Sequence, residues 1–281
     1  MLPHYPAKII LFGEHTLLRG SRGLAIPYPK YSLRWTVDSP DDRLLALADY
    51  LRTRVPARLI DHDTLVRDLR QGAGLTGDIP TGYGLGSSGA VCAAVYDRYA
   101  TPAGRALPME ELRHTLATME GHFHGQSSGT DPLVSYLQQP LLLQGGDASA
   151  VQLPEGWREG FFLVDTGITR SASDLIARFV QAFDQDMVPD IRSGWMEPNE
   201  RALTALLTGD RQDLYTAFRE LSAYQLPNFP YLVPEAFRSV WDGGAHYRLK
   251  LCGAGGGGML LGLARDRART EATFGERLHW L

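Results

Sequence analysis

The segment Ile79-Pro80-Thr81-Gly82-Tyr83-Gly84-Leu85-Gly86-Ser87-Ser88-Gly89 guides the interpretation of the whole chain. Its glycines lack a Cβ atom, so successive backbone N–H groups can converge on an anion. The small apolar run Ala90–Tyr99 predicts a helix, and the dipole at its N-terminus would favour the same anion. Ser87 and Ser88 add hydroxyl groups that could contact a phosphate or a metal ion. The simpler alternative is a flexible turn before a helix.

This loop differs from two common phosphate-binding loops. The dipeptide Gly-Lys does not occur in the chain, which excludes a Walker A loop. Gly84, Gly86 and Gly89 match the spacing G-x-G-x-x-G. However, they follow Pro80-Thr81-Gly82 rather than a strand at the start of the chain, as a Rossmann fold would require.

A second polar segment is Glu120-Gly121-His122-Phe123-His124-Gly125-Gln126-Ser127-Ser128-Gly129-Thr130-Asp131. One of its two carboxylates could hold magnesium while the other accepts a proton from a hydroxyl. The alternative is a solvated helix end followed by an Asp turn. Residues 125–129 also match the hydrolase motif G-x-S-x-G, but that motif needs a preceding strand and a helix is predicted here. His122 and His124 lack a third metal ligand at a familiar spacing, which favours ordinary helix-end residues.

Two further segments carry unusual residues. The glycines at 253–258 contribute no side-chain burial and cost backbone entropy, so they indicate close approach to a ligand or to another loop. A mobile hairpin is the alternative. Lys8 lies on a predicted strand, and the following turn presents Glu14 and His15, a pattern that by itself favours surface placement. Among 28 basic residues the lysines are Lys8, Lys30 and Lys250, so the first and last of these, beside the motifs, indicate a specific role.

Composition predicts a globular protein of one large or two ordinary domains. The 281 residues are 44% hydrophobic and 21% charged, and the net charge is -4. No basic face indicates nucleic-acid binding, and no apolar run is long enough to span a membrane. The N-terminal stretch 1–6 lacks the features of a signal peptide, so a cytoplasmic location is expected. Cys92 and Cys252 match no metal or disulfide spacing and are expected to be buried free thiols.

Hydrophobic patterns predict a mixed α+β chain. The predicted strands are 8–13, 23–27, 31–37, 141–143, 160–164 and 259–264. The predicted helices are 41–54, 61–71, 90–99, 110–124, 173–184, 201–207 and 211–224. A weakly marked domain boundary lies near residue 150, in the polar stretch 145–149.

Taken together and in this order, the four segments resemble the GHMP kinase superfamily, and most closely its mevalonate kinases. The similar stretches are 6–15, 79–89, 120–131 and 250–258. The resemblance implies a two-domain α+β fold. Residues 1–150 would form an ATP-binding domain like domain 2 of ribosomal protein S5. Residues 151–281 would form a ferredoxin-like C-terminal domain, with the active site between the two.

The resemblance also implies roles for individual residues, with ATP and magnesium as cofactors. Asp131 would accept the proton of the substrate hydroxyl, and Lys8 would favour the ionised form of Asp131 and stabilise the transferring phosphoryl group. Ser88 and Glu120 would hold magnesium. Glu14, His15 and Arg170 would face the acceptor substrate. The residues implied in phosphate binding are Gly82, Gly84, Leu85, Gly86, Ser87, Ser88, Gly255 and Gly256.

The implied reaction is the ATP-dependent phosphorylation of a small alcohol, foremost (R)-mevalonate to 5-phosphomevalonate in isoprenoid biosynthesis. Alternatives are a GHMP kinase for phosphomevalonate, a sugar or an amino-acid alcohol, or a catalytically silent ligand-binding homologue. The resemblance suggests a homodimer and gives no role for nucleic acid or membrane. The chain departs from the family pattern at Ala7, where Gly is usual, and at Gly89, where Ala or Ser is common. It is also short between the first two motifs.

Overall fold

Two antiparallel sheets, each covered by helices, organise the protein. A computed structural model describes residues 3–37 and 39–281, so the first two residues of the N-terminal stretch 1–6 lie outside the described residues. Within the described part of the chain, no helix has the length and apolar character needed to cross a membrane.

The first sheet contains five strands in the N-terminal half of the chain. Its strands are β1 (His4–Phe12), β2 (Gly23–Thr36), β3 (Gly74–Gly77), β4 (Leu141–Gln144) and β5 (Asp147–Ala150). The order is β1-β2-β4-β5, with β3 also paired to β2. The central part of β1 is buried on both faces, because helices cover one side and the C-terminal half covers the other. This explains its continuous apolar run.

Helices of the N-terminal half pack on this sheet. They are α1 (Asp42–Arg54), α2 (His62–Arg70), α3 (Ser87–Tyr99), α4 (Pro102–Arg105), α5 (Met109–His124) and α6 (Thr130–Leu137). The α3 helix lies in the middle of this layer and contacts α5, α6 and β1. Its buried face carries the small side chains of Ala90, Ala93 and Ala94, so neighbouring backbones can approach closely.

The second sheet lies in the C-terminal half. Its strands are β6 (Phe161–Asp165), β7 (Tyr247–Leu251), β8 (Met259–Ala264) and β9 (Leu278–Trp280), in the order β7-β8-β6-β9. The helices are α7 (Ala172–Asp184), α8 (Glu197–Thr208), α9 (Arg211–Asn228), α10 (Glu235–Arg238) and α11 (Arg267–Phe274). Edge-to-face contacts of Phe12 with Phe161 and Phe218 join the two halves in one apolar core.

The α+β prediction is confirmed, and most predicted elements are present. The segments 23–27 and 31–37 form one long strand, β2, because its pairing with β1 continues past Pro27 through a register shift between Pro6 and Ala7. Helix α6 was not predicted, since its sequence begins in the polar glycine-rich segment. The first sheet ends at Ala150 and the second begins at Phe161, but the predicted domain boundary stays a prediction.

Candidate active site

The glycine-rich loop lies between β3 and α3 and has the backbone of an anion-binding turn. Gly82, Gly84 and Gly86 have φ angles of 78°, 72° and 74°, in the left-handed region that favours glycine. Within the described residues, no side chain caps the first N–H groups of α3, which begins directly after Gly86. These N–H groups and the helix dipole can bind a phosphate. The carbonyl of buried Leu85 accepts a hydrogen bond from the Lys8 N–H (2.9 Å), so β1 holds the loop in place.

Lys8 and Asp131 meet directly beneath this loop. Lys8 Nζ is 3.1 Å from Asp131 Oδ1 and donates to the Gly84 carbonyl oxygen at 3.3 Å. The Lys8 side chain is 7% exposed, whereas that of Asp131 is 29% exposed. A Cβ atom built on Gly86 would lie 3.1 Å from Lys8 Cγ and 3.3 Å from Asp131 Oδ2. Glycine at position 86 therefore allows the loop to touch both charged side chains.

Close packing of α6 against α3 places Asp131. This residue is the second of α6, and Gly129 before the helix has a φ angle of 73°. A Cβ atom built on Gly89 of α3 would lie 2.7 Å from the Asp131 carbonyl carbon and from the nitrogen of Pro132. The glycine that departs from the family pattern thus stands where the backbones of the two helices lie close together.

Ser88 and Glu120 form the second polar group of the site. Ser88 Oγ donates to Glu120 Oε1 (2.9 Å), and Ser127 Oγ donates to Glu120 Oε2 (2.5 Å). Burial, followed by the nearby charge of Asp131, raises the pKa of Glu120 to about 7. His124 Nε2 lies 2.9 Å from the same Ser88 Oγ. The sequence interpretation treated His124 as an ordinary helix-end residue, although its spacing of four from Glu120 places both on one face of α5.

The oxygen atoms of Ser88 and Glu120 fit a magnesium ion. Hydroxyl and carboxylate oxygens are ligands that Mg²⁺ accepts, and this ion commonly takes one or two protein ligands and completes its shell with phosphate oxygens and water. A nearby cation would also offset the cost of burying the Glu120 carboxylate. No group of three or more His, Cys, Asp or Glu residues able to hold a metal occurs in residues 3–37 and 39–281. The protein atoms alone would therefore form an incomplete shell.

His15 lies between the two halves of the chain. Its φ angle is 60°, which is unusual for a residue with a side chain. The ring Nε2 lies 3.1 Å from the carbonyl oxygen of Ala254, so Nε2 carries the proton and donates. Burial lowers the pKa of His15 to about 4, which keeps the ring neutral. The buried Nδ1 finds no partner among the described residues and can accept a hydrogen bond. Phe179 and Trp195 pack on the ring, with centroids 4.8 and 5.8 Å away.

Arg170 is brought beside the first glycine loop by the segment after β6. Its N–H donates to the Gly82 carbonyl oxygen (3.2 Å), and its guanidinium group lies against Gly84. Burial lowers the pKa of Arg170, and its buried Nε finds no partner among the described residues. A buried guanidinium with a free donor fits an anionic group such as a carboxylate.

The Glu14 carboxylate is held by two residues of the C-terminal half, Lys250 and Gln225. Its Oε2 is 2.7 Å from Lys250 Nζ, and its Oε1 accepts from Gln225 Nε2 at 2.7 Å. The side chains of Glu14 and Lys250 are both 0% exposed. The predicted contact of Glu14 with substrate stays a prediction, and the observed partners are two residues of the C-terminal half. The rarity of lysine in this chain had marked Lys250, but no local signal indicated which carboxylate it meets.

The second glycine segment packs against the first glycine loop. The Gly258 N–H donates to the carbonyl oxygen of Ile168 (2.7 Å), and Gly258 lies against the backbone of Tyr83 in the first glycine loop. The predicted close approach of this backbone to another loop is therefore confirmed. The Gly256 N–H donates to the Leu232 carbonyl oxygen (2.6 Å). Phosphate binding by Gly255 and Gly256 stays a prediction.

The serine hydrolase alternative does not fit the structure around Ser127. The segment 125–129 follows helix α5 and precedes helix α6, so no strand leads into the serine. Its Oγ donates to Glu120 rather than to a histidine. The geometry needed for an activated nucleophile is thus missing at this residue.

Known proteins resemble the chain over nearly its full length. A family model described as the GHMP kinases N terminal domain matches residues 46–139, which include the first glycine loop, Glu120 and Asp131. A mevalonate kinase of Pyrococcus horikoshii is 26% identical over 316 residues, covering 97% of this chain and 91% of the relative.

Solved structures share the fold. L. major mevalonate kinase in complex with R-mevalonate superposes with a TM-score of 0.65 at 21% identity, covering 97% of this chain and 89% of the other. Streptococcus pneumoniae phosphomevalonate kinase superposes with a TM-score of 0.69 at 16% identity, covering 100% and 98%. The chain therefore carries a segment that matches the GHMP kinases N terminal domain, and it is similar to mevalonate kinases over nearly its full length.

Proposed function

We propose that this protein transfers the γ-phosphoryl group of ATP to a small alcohol, and that the alcohol is (R)-mevalonate, giving 5-phosphomevalonate for isoprenoid synthesis. The observation that carries the proposal is the Lys8–Asp131 pair, 3.1 Å apart beneath the N-terminus of α3. The mevalonate kinases that resemble the chain over nearly their whole length support this choice of acceptor.

In this reaction Asp131 acts on the acceptor hydroxyl. Its partly exposed carboxylate can accept the hydroxyl proton, and such a base contributes about 10²–10⁴-fold to the rate. Lys8 holds this carboxylate in place and brings a positive charge to the path of the transferring group. Phosphoryl transfer needs little covalent work from the protein, so positioning and charge neutralisation account for most of the catalysis.

The first glycine loop and the start of α3 would bind the nucleotide phosphates. The residues proposed for this contact are Gly82, Gly84, Leu85, Gly86, Ser87 and Ser88 on one side and Gly255 and Gly256 on the other. Ser88 Oγ and Glu120 would hold magnesium, which, when bound, neutralises charge on the phosphates. In this scheme His124 orients the Ser88 hydroxyl through its Nε2.

The acceptor would lie against His15 and Arg170. The unpaired Nε of Arg170 can bind a carboxylate, and the unpaired Nδ1 of His15 can accept a hydrogen bond from a hydroxyl. Lys250 is already paired with Glu14 and cannot neutralise a second anionic group. These charges favour mevalonate, with its single carboxylate, over phosphomevalonate.

The domain assignment belongs to this proposal. Residues 1–150 would form the ATP-binding domain and residues 151–281 the C-terminal domain, with the acceptor held at their interface. The contact of His15 with Ala254, which lies in the segment between β7 and β8, supports this arrangement.

The test is ADP release with mevalonate, phosphomevalonate, homoserine and galactose as acceptors, with the product identified by ³¹P NMR. We expect turnover with mevalonate and a phosphomonoester signal from the 5-position. Turnover with another acceptor instead would replace mevalonate but keep the kinase. No ADP release above background with any acceptor would contradict the proposal. Asp131→Asn should abolish turnover, whereas Ser127→Ala should reduce it only by loosening Glu120.

A further inference from the structure

Lys250 is a fully buried charge for which the proposed reaction has no use. It lies at the end of β7, just before the second glycine segment, and its side chain is 0% exposed. Its Nζ is 2.7 Å from Glu14 Oε2 and donates to the carbonyl oxygen of Leu251 at 2.7 Å. Glu14 Oε2 has no aligned hydrogen-bond donor among the described residues, so charge attraction dominates this contact.

A buried ion pair of this kind contributes little net stability to the fold. Removing both charges from water costs several kcal/mol, and well-packed apolar residues in their place are often as stable or more stable. A buried pair does, however, fix the relative position of the segments that carry it. The Glu14–Lys250 pair joins strand β7 to the turn that follows β1.

Gln225 extends the pair into a closed network across the two halves of the chain. Its Nε2 donates to Glu14 Oε1 (2.7 Å), and its Oε1 accepts from the Leu251 N–H (2.9 Å). Helix α9 and strand β7 thus both contact the carboxylate of Glu14, which lies in the turn after β1. The residue held in this way is the immediate neighbour of His15.

His15 needs such support because its conformation is costly. A φ angle of 60° in a residue with a side chain is unfavourable and persists only where the surroundings impose it. The Glu14 carboxylate anchors the backbone on one side of His15. The ring is anchored on the other side by Ala254, which follows Lys250 in the chain and accepts the Nε2 proton at 3.1 Å. Strand β7 and the glycine segment that directly follows it therefore supply both anchors.

We propose that Lys250 is a positioning residue: through its ion pair with Glu14 it sets the orientation of the His15 imidazole that receives the acceptor alcohol. The pair links the strand before the second glycine segment to the turn after β1. It aligns the acceptor site with Lys8 and Asp131, which lie on the same N-terminal half. The acceptor part of this inference rests on the proposed function, whereas the orientation of His15 does not.

The experiment replaces both charges together. Lys250→Met alone, or Glu14→Gln alone, leaves an unpaired buried charge and lowers Tm strongly. The double variant Glu14→Gln/Lys250→Met removes both charges while roughly keeping volume, and we expect it to recover most of the lost Tm. A merely structural pair would recover its function together with its stability.

Two measurements on the folded double variant test the proposal. Long-range ¹H–¹⁵N spectra of the imidazoles should show a single Nε2-protonated tautomer for His15 in the original protein, assigned by its absence in His15→Asn. In the double variant we expect mixed tautomers. We also expect at least a fivefold higher KM for mevalonate, with KM for ATP changed less than twofold. An unchanged His15 spectrum would overturn the proposal.

A matched control is Glu200→Gln. Glu200 Oε2 accepts from Arg22 Nε at 2.7 Å, which also joins the N-terminal half to α8, but Glu200 has no contact with Glu14 or His15. It should leave the His15 spectrum and both KM values unchanged, and a change equal to that of the double variant would overturn the proposal. If the original protein shows no turnover with mevalonate, the proposed function fails, and the His15 spectra still decide whether Lys250 positions this ring.

Discussion

The pairs Lys8–Asp131 and Lys250–Glu14 contain the same chemical groups in different surroundings. Both lysines lie on strands beside a glycine-rich segment, and the nearest N–O distances are 3.1 and 2.7 Å. The Asp131 side chain is 29% exposed, whereas the Glu14 side chain is 0% exposed. Solvent access to the carboxylate, rather than the ion pair itself, therefore separates a group that can contact a substrate from one that holds structure.

The scarcity of lysine supports this comparison. The chain uses arginine for most of its 28 basic residues, yet the cation of each of these two pairs is a lysine. A guanidinium is larger, planar and carries five donors, whereas an ammonium is a compact charge on a flexible stem. Each of these narrow sites accommodates one compact charge between a carboxylate and a carbonyl oxygen.

The largest expected effect is the loss of catalysis when the Lys8–Asp131 pair is changed. Asp131→Asn should reduce kcat by about 10²–10⁴-fold, because the amide cannot accept the hydroxyl proton. ATP binding should change little, since the loop glycines and the start of α3 remain in place. Steady-state kinetics with mevalonate, together with nucleotide binding by calorimetry, check this expectation. If Asp131→Asn kept activity within tenfold of the original, Asp131 would not be the catalytic base, and the two pairs would not differ in catalytic role.

The second effect is on stability at the buried pair. Lys250→Met should lower the free energy of unfolding by about 3–5 kcal/mol, because it leaves the Glu14 carboxylate buried and unpaired. Lys8→Met should cost less stability, since solvent reaches the Asp131 carboxylate, but it should reduce kcat. Urea unfolding of both variants measures the difference. Equal losses of stability would show that burial does not distinguish the pairs.

The sequence predicted the exposed pair far better than the buried one. Ser88, Glu120 and Asp131 lie in short segments whose glycines and carboxylates left a chemical site and an ordinary turn as alternatives. The segment of Lys8, Glu14 and His15 by itself favoured surface placement, which is wrong because all three residues are buried between the two halves of the chain. The structure brings Lys8 together with Ser88, Glu120 and Asp131 around the N-terminus of α3. The resemblance to a family with these segments then supplied their roles.

The buried network could not be predicted from local patterns. Gln225 lies inside an amphipathic helix, and nothing near it indicates a partner after β1. Trp195 belongs to a π-helical turn at Arg192–Met196 that places its indole beside His15, and such a turn has no clear sequence signature. His124 could have been found from the sequence, because its spacing of four residues from Glu120 places both on one face of a helix. The sequence interpretation considered His122 and His124 only as metal ligands and did not use this spacing.

The third expected effect is a pH dependence of stability that comes from buried His15. Burial lowers the pKa of His15 to about 4, whereas the unfolded chain protonates at about 6.5. The unfolded state therefore binds more protons between these values, so the original protein should lose stability as pH falls from about 6.5 to 4. The loss attributable to His15 is about 3 kcal/mol at most, from about 1.4 kcal/mol per pKa unit.

His15→Asn provides the reference for this measurement, because asparagine tolerates a positive φ angle and does not titrate. The difference in unfolding free energy between the two proteins should narrow or reverse as pH falls through this window. A difference that stays constant from pH 7 to pH 4 would mean that His15 is solvated and that the network does not bury it.

The smallest expected effect concerns the helix contact that holds Asp131. Gly89→Ala places a Cβ atom 2.7 Å from the backbone of Asp131 and Pro132, so α6 must shift away from α3. Such overpacking costs about 1–3 kcal/mol, and the better helix propensity of alanine offsets up to about 1 kcal/mol of it. Gly121→Ala in α5 is the matched control, because its Cβ would meet only the terminal hydroxyl of Tyr50 at 3.1 Å, which can move. We expect net destabilisation and a reduced kcat in Gly89→Ala, but unchanged or higher stability in Gly121→Ala. If Gly89→Ala changed neither stability nor kcat, the position of Asp131 would not depend on the close approach of the two helices. The ion pair with Lys8 would then be what holds Asp131.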